Sequence, residues 1–410
     1  MIQELRPLVR AAYRSTWLLW AVCLAVHGSL VVQTLRTHDA SFGDVLLYRW
    51  WVGQGVQEGT WPVLTDGWQY SSWVYPVLAL VPMALAAALG GLLGPEAGWL
   101  VVALGASLGA FALLARPERR AGAWYWLTFL MLLGPIALVR LDVFVAVTVL
   151  VGLVLAARRP RAAALVLTVG AWVKVVPAAL VWSLFATTSR RWRDVVLPAG
   201  ALTVLVVGAA TSLGGGARVL SFLGEQGERG LQLESVGAGA AMLARGLGVE
   251  AHATYNEDIY TYEISGGVAA VVAQLLPLVL AGLMLLVAVL TWSARRAGRE
   301  TVAWSALAFL AAAIVGNKVG SPQFQMWLLA PLAFGLAGGP RSWAWRSAAL
   351  AGLVAALATQ YTYPYHYDGL VALAPTSVVV LVVRNLAVLA VLVTAVLQLV
   401  RLGRAEQQHR

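Results

Sequence analysis

Apolar and polar positions alternate along this chain in long blocks, not at the short period of a half-buried strand. Twelve apolar runs lie at about 15–36, 75–94, 98–115, 122–139, 141–157, 162–186, 194–213, 266–292, 301–316, 322–338, 345–362 and 376–400. Runs of about 20 apolar residues match the thickness of a bilayer, where backbone groups must be satisfied within their own segment, so the runs are read as helices. The pattern predicts an all-α, polytopic membrane protein of about twelve transmembrane helices. It forms one integral-membrane domain over 1–410, with two long outer loops, 37–74 and 214–265, carrying short surface helices. Arg6, Arg10 and Arg14 precede the first run, and no small-residue cleavage site follows it. That run is therefore read as a span, not as a removed signal peptide.

Composition agrees: 60% of the residues are hydrophobic and 12% are charged, against about 45–50% and about 25% in soluble domains. The net charge of +10 acquires its meaning from location. An even number of spans puts both termini on one side. With the N-terminus inside, segments 1–15, 187–194, 293–300, 339–346 and 401–410 hold fourteen Lys and Arg, whereas the outer loops 37–74, 214–265, 317–321 and 363–375 hold five. The same outer loops carry twelve of the nineteen acids. This is the positive-inside asymmetry, and no nucleic-acid partner is needed to explain the charge. Strict alternation, however, puts six basic residues in 116–120 and 158–161 outside. A half-length or re-entrant segment near 75–94, with a broken helix at Lys174-Val-Val-Pro177, would repair this.

Loop 37–74 is rich in aromatics, a composition that suits the headgroup zone. From Asp44 to Val52 the pattern is helical and stacks Asp44, Tyr48 and Trp51 on one face, predicting a short surface helix that Asp44 opens. Tyr75-Pro76 begins the second span. Loop 214–265 contains a small-residue helix near 236–247 and a tyrosine-rich patch over 255–262; 316–323 forms a tight outer turn and 361–368 another aromatic loop.

Ionisable residues at membrane depth are costly, which makes them functional candidates. Lys174 reads either as a helix–helix tie to an acid such as Asp142 or as a cation for an anionic lipid phosphate. Arg140 and Asp142 flank a span end two residues apart, so on a helix they face different ways. Asp44 reads either as a helix N-cap or as a catalytic carboxylate. Gln232, Glu234 and Ser235 are ordinary loop residues in isolation. Cys23 is alone, the five histidines are scattered, and no metal-ligand or nucleotide-binding spacing occurs, so no metal or cofactor is expected.

Taken together, an Asp after the first span, Tyr75-Pro76, Arg140-x-Asp142, Lys174-x-x-Pro177, Arg229-Gly-Leu-Gln-Leu-Glu-Ser235 and Ser321-Pro-Gln-Phe-x-x-Trp-Leu328 resemble, in this order, glycosyltransferase family 87 of the integral-membrane GT-C superfamily. The resemblance spans roughly 40–335. It implies inverting transfer of a sugar, mannose first, from a polyprenyl-phosphate donor to a hydroxyl of a lipid or glycan acceptor on the outer face of a bacterial inner membrane, among membrane lipids. It implies Asp44 as general base, with Asp39 and Asp66 as rivals. The donor phosphate falls to Arg229, Lys174, Lys318 and Arg140, and substrate binding to Tyr48, Trp51, Gln232, Glu234, Ser235, Gln323, Asp142 and His366. A secondary transporter or flippase using Arg140, Asp142 and Lys174 as a pathway is the second reading, and a non-catalytic assembly subunit the third.

Overall fold

The computed structural model describes residues 13–64, 73–224, 230–257, 260–338 and 342–408. Asp66 and Arg229 lie outside them. Among the described residues the chain is a bundle of helices: α1 (Thr16–Arg36), α2 (His38–Glu58), α3 (Val77–Leu93), α4 (Pro95–Leu114), α5 (Arg120–Leu133), α6 (Asp142–Ala156), α7 (Pro160–Val173), α8 (Ala178–Thr187), α9 (Trp192–Ser212) and α10 (Ala238–Gly246). After the strands β1 (His252–Asn256) and β2 (Thr261–Ser265) come α11 (Gly267–Ser293), α12 (Arg299–Val315), α13 (Met326–Ala337), α14 (Trp343–Gln360), α15 (Tyr367–Val371) and α16 (Pro375–Gln408).

The bundle is apolar both inside and out. In α12 every residue from Thr301 to Ile314 is buried, and α13 is buried almost all round, as expected of helices apolar on every face. Yet α11, with a mean hydropathy of 2.5, has only 11% of its most apolar window covered by the protein, and Leu278, Leu285 and Val289 point outward. Such surfaces suit lipid, and five helices (α1, α4, α9, α11 and α16) are long and apolar enough to cross a membrane.

Two of the twelve apolar runs do not pass from one end of the bundle to the other. Tyr75, before α3, packs its ring 6.2 Å from Tyr48 in α2, while Glu96, just beyond α3, lies 3.5 Å from His38 at the start of α2. Helices α2 and α3 thus run side by side across one end of the bundle. Gly98 makes the α3–α4 turn possible, because a Cβ there would sit 2.4 Å from the Ala86 carbonyl oxygen. The run 162–186 breaks at Lys174, which is extended (φ −154°, ψ 127°). There the chain reverses, so that Thr187 at the end of α8 returns to the level of Pro160 at the start of α7.

These two departures resolve the misplaced charges. Arg161 bonds Asp194 at 2.6 Å, and Arg119 sits near both Arg158 and Arg299, so the two basic loops share an end with 187–194 and 293–300. The two ends of the described chain meet there as well, through Trp124 Nε1 to the Tyr13 carbonyl (3.4 Å) and the Ala297 N–H to Glu406 (2.9 Å). The loops read as outer gather at the opposite end.

Candidate functional site

Two adjoining cavities open among those outer loops. One, of about 370 Å³, is polar and is lined by Asp44, Arg140, Gln232, Glu234, Tyr363 and other residues, several of them tyrosines. The second, of about 420 Å³, is an apolar groove walled by residues such as Val176, Phe222, Pro277 and Leu280, with Lys174 and Lys318 on its surface. Val74, Tyr75, Ser321 and Gln323 line both and mark the junction.

Asp44 lies in the second turn of the 21-residue helix α2, whose N-cap is Thr37. It therefore neither caps nor opens a short helix; the helix starts earlier because Thr37 is all that interrupts it after α1. The Asp44 Oδ2 atom pairs with Arg140 Nε at 2.9 Å and accepts from the Tyr48 hydroxyl at 3.5 Å. No described residue hydrogen-bonds Oδ1. Arg140 is buried, and its remaining nitrogens donate to the Ser41 carbonyl (2.7 Å), the Val139 carbonyl (2.8 Å) and the Tyr363 hydroxyl (3.4 Å). With Nε and both terminal nitrogens engaged, the guanidinium holds Asp44 in place and has little left for a donor phosphate.

At the groove, Lys174 Nζ bonds both Asp142 oxygens at 2.8 Å, and Trp327 Nε1 donates to Asp142 at 2.6 Å. The tie between Lys174 and Asp142 is thus present, and Lys174 also lines the groove, 4.8 Å from the Phe324 ring centroid. Asp142 is almost wholly buried and touches neither cavity.

The junction is framed by backbone pairing. Leu231 and Leu233 extend the β1–β2 hairpin through the Ile264 N–H to the Leu231 carbonyl (2.8 Å) and the Leu233 N–H to the Tyr262 carbonyl (2.9 Å). Gln232 donates its N–H to the Lys318 carbonyl at 3.0 Å and accepts from the Gly320 N–H at 2.9 Å. Gly320 passes so close that a Cβ would lie 2.1 Å from the Ser235 nitrogen. Glu234 is buried, and its Oε2 has no hydrogen-bond partner among the described residues. Burial pushes its carboxyl up from the ordinary range, opposed by Arg384 and by hydrogen bonds that include those from Tyr367 and Gln232.

Of the residues singled out from sequence, Asp44, Arg140, Trp51, Gln232 and Glu234 meet in the polar chamber, Lys174 and Lys318 in the groove, and Gln323 at the junction. Tyr48 faces a small separate void among Met83 and Trp99 and does not line the chamber, touching it through Asp44, Trp51 and Tyr75. Ser235 accepts from the Ala238 N–H at the start of α10 at 3.0 Å, and His366 is exposed, stacked 3.9 Å from Tyr361. Neither lines a cavity. Sequence reasoning missed Tyr363 and Tyr367 as chamber walls, the hairpin, and Arg384. This buried arginine of α16 donates to the Glu234 carbonyl, and its neighbour Asn385 donates to the Ser235 carbonyl at 3.3 Å. A lone arginine deep in an apolar run was the available signal.

Comparison of the chain with protein-family models, with curated proteins and with solved structures found no match.

Proposed function

We propose that the protein is a lipid-linked glycosyltransferase that moves a sugar, mannose in the first instance, from a polyprenyl phosphate to an acceptor hydroxyl, with inversion. One observation carries the reading: a polar chamber holding a positioned carboxylate adjoins an apolar groove bearing two lysines, and the two share Tyr75, Ser321 and Gln323. A polyprenyl chain fits the groove, and hydroxyl-rich substrates fit the chamber. The anomeric carbon would sit at the junction, with acceptor and phosphate on opposite sides. The acceptor oxygen forms the new bond to that carbon, its proton passes to Asp44 Oδ1, and the phosphate oxygen departs with the bonding pair. The leaving phosphodiester monoanion becomes a phosphate dianion, which cations aimed at it stabilise. Lys174 and Lys318, both on the surface of the groove, are assigned that work.

The transporter or flippase reading is favoured by one feature, the α7–α8 hairpin with a cation at its broken tip, a device such proteins use. A single assay separates the two. Purified protein in detergent, given polyprenyl-phosphate mannose and a lipid extract, should transfer mannose without any membrane gradient. Asp44→Asn should lower the rate by about 10²–10⁴-fold. No transfer by the parent sinks the enzyme reading; equal transfer by the variant sinks the role of Asp44.

A further inference from the structure

A row of tyrosines leads out of the polar chamber. At its inner end the Tyr363 hydroxyl accepts from Arg140, the partner of Asp44. The ring of Tyr363 meets Tyr367 edge-on at 5.4 Å, Tyr367 meets Tyr262 at 6.0 Å, and Tyr262 meets Tyr255 at 5.0 Å. Tyr255 and Tyr260 complete the row on the hairpin, and all five line the same cavity. Exposure rises along it, to 49% at Tyr255 and 71% at Tyr260.

Two features separate this row from aromatics that merely fill a core or anchor a loop. Its outer members leave large apolar faces uncovered beside a polar cavity, where an occupant with both apolar faces and hydroxyls is suited. Tyr260, moreover, has φ +52°, a left-handed conformation that costs a bulky side chain energy and is normally left to glycine or asparagine. The strained backbone keeps this ring at the rim of the chamber.

We infer that the tyrosine row is a track for successive sugar rings, and that the acceptor is a neutral oligosaccharide of several units, not a single sugar or a simple lipid hydroxyl. A pyranose places its C–H face on an aromatic ring while its hydroxyls bond the rim, and the tyrosine hydroxyl offers both donor and acceptor. Gln232 and Thr261, joined at 3.1 Å, add polar groups beside the row. The terminal unit would reach Asp44 while earlier units lie outward over Tyr262, Tyr255 and Tyr260. This inference rests on the chamber being a glycosyl-transfer site.

The test measures binding without donor. Manno- and gluco-oligosaccharides of one to six units are titrated calorimetrically into the full chain in detergent. Affinity should rise with length in at least one series. Tyr255→Ala and Tyr260→Ala should each weaken binding of the longer members about 3- to 10-fold and leave the monosaccharide unaffected, while Tyr255→Phe keeps parental affinity for length. Length-independent binding in both series, or an equal loss at every length, overturns the track. Length-dependent binding by a protein that transfers no mannose would keep the track and reject the transfer reading; transfer indifferent to acceptor length would do the reverse.

Discussion

Two Asp–cation pairs sit at the same end of this bundle, and their geometries are opposite. Asp142 has a side chain 2% exposed and gives both oxygens to Lys174. Asp44 has a side chain 36% exposed and gives only Oδ2 to Arg140. In the first pair the carboxylate is consumed and the lysine is held at the tip of the α7–α8 reversal. In the second the arginine is consumed, by two carbonyls and a tyrosine, and the carboxylate keeps an oxygen for the chamber. The same charges thus make a strut in one place and a positioned, half-open carboxylate in the other, according to which partner has spare hydrogen-bonding capacity.

Removing one partner from each pair puts the contrast at risk. A buried charge left alone costs about 3–5 kcal/mol, so Lys174→Gln, which strands Asp142, should markedly lower the melting temperature in detergent. The double variant Lys174→Gln/Asp142→Asn should recover part of that loss, since both charges are then gone. Asp44→Asn should cost less, because the amide oxygen can still accept from Arg140 and the guanidinium keeps its bonds to two carbonyls and a tyrosine hydroxyl. Equal melting temperatures for the two single variants would erase the distinction between strut and base.

The third carboxylate of the region, Glu234, sharpens the comparison because it faces the chamber but forms no ion pair among the described residues. Burial holds its carboxyl above the ordinary value of 4.5, so the native state keeps a proton that the unfolded chain releases. The stability contributed by the neutral form is complete below about pH 4.5 and is lost as pH rises through the native value. Glu234→Gln should therefore melt like the parent at pH 4 and above it at pH 8, by about 1 kcal/mol. A melting difference that does not change with pH would mean that Glu234 is ionised and paired in the native protein.

How far this arrangement could be read from the sequence depended on what each signal reports. Apolar runs report helices and loop composition reports which loops share an end, so the bundle, the gathering of four loops at one end and the neighbourhood of Asp44 were legible. Depth and direction were not. The run 75–94 is as apolar as a true span, yet Leu85, Leu92 and Leu93 are exposed on a helix lying across the end. The six basic residues of 116–120 and 158–161 carried that information, since their sign was wrong for strict alternation. Strand formation at 252–256 and 261–265 was signalled by the β-favouring Thr254, Tyr255, Thr261, Tyr262 and Ile264, but a tyrosine patch read for chemistry hid it. Arg384 was illegible for another reason. Its partner is the backbone carbonyl of Glu234, about 150 residues away, and a main-chain acceptor leaves no mark in a sequence.

The smallest expected effect tests how Asp44 is aimed. Tyr48 is 2% exposed, packs against Trp99 at 5.0 Å and touches Asp44 only through its hydroxyl, at a long 3.5 Å. A bond so stretched adds little beside the 2.9 Å contact to Arg140, and interactions weaken quickly beyond the usual hydrogen-bond range. Tyr48→Phe keeps the packing and removes that oxygen alone, so its cost should stay below about 1 kcal/mol, a fall in kcat of less than about fivefold with KM unchanged. Arg140→Lys, which keeps the charge but loses the fork reaching Ser41, Val139 and Tyr363, should cost more than Tyr48→Phe in the same assay. If the order were reversed, the hydroxyl and not the guanidinium would be what orients the carboxylate, and the chamber's base would be held by its own helix instead of by the turn before α6.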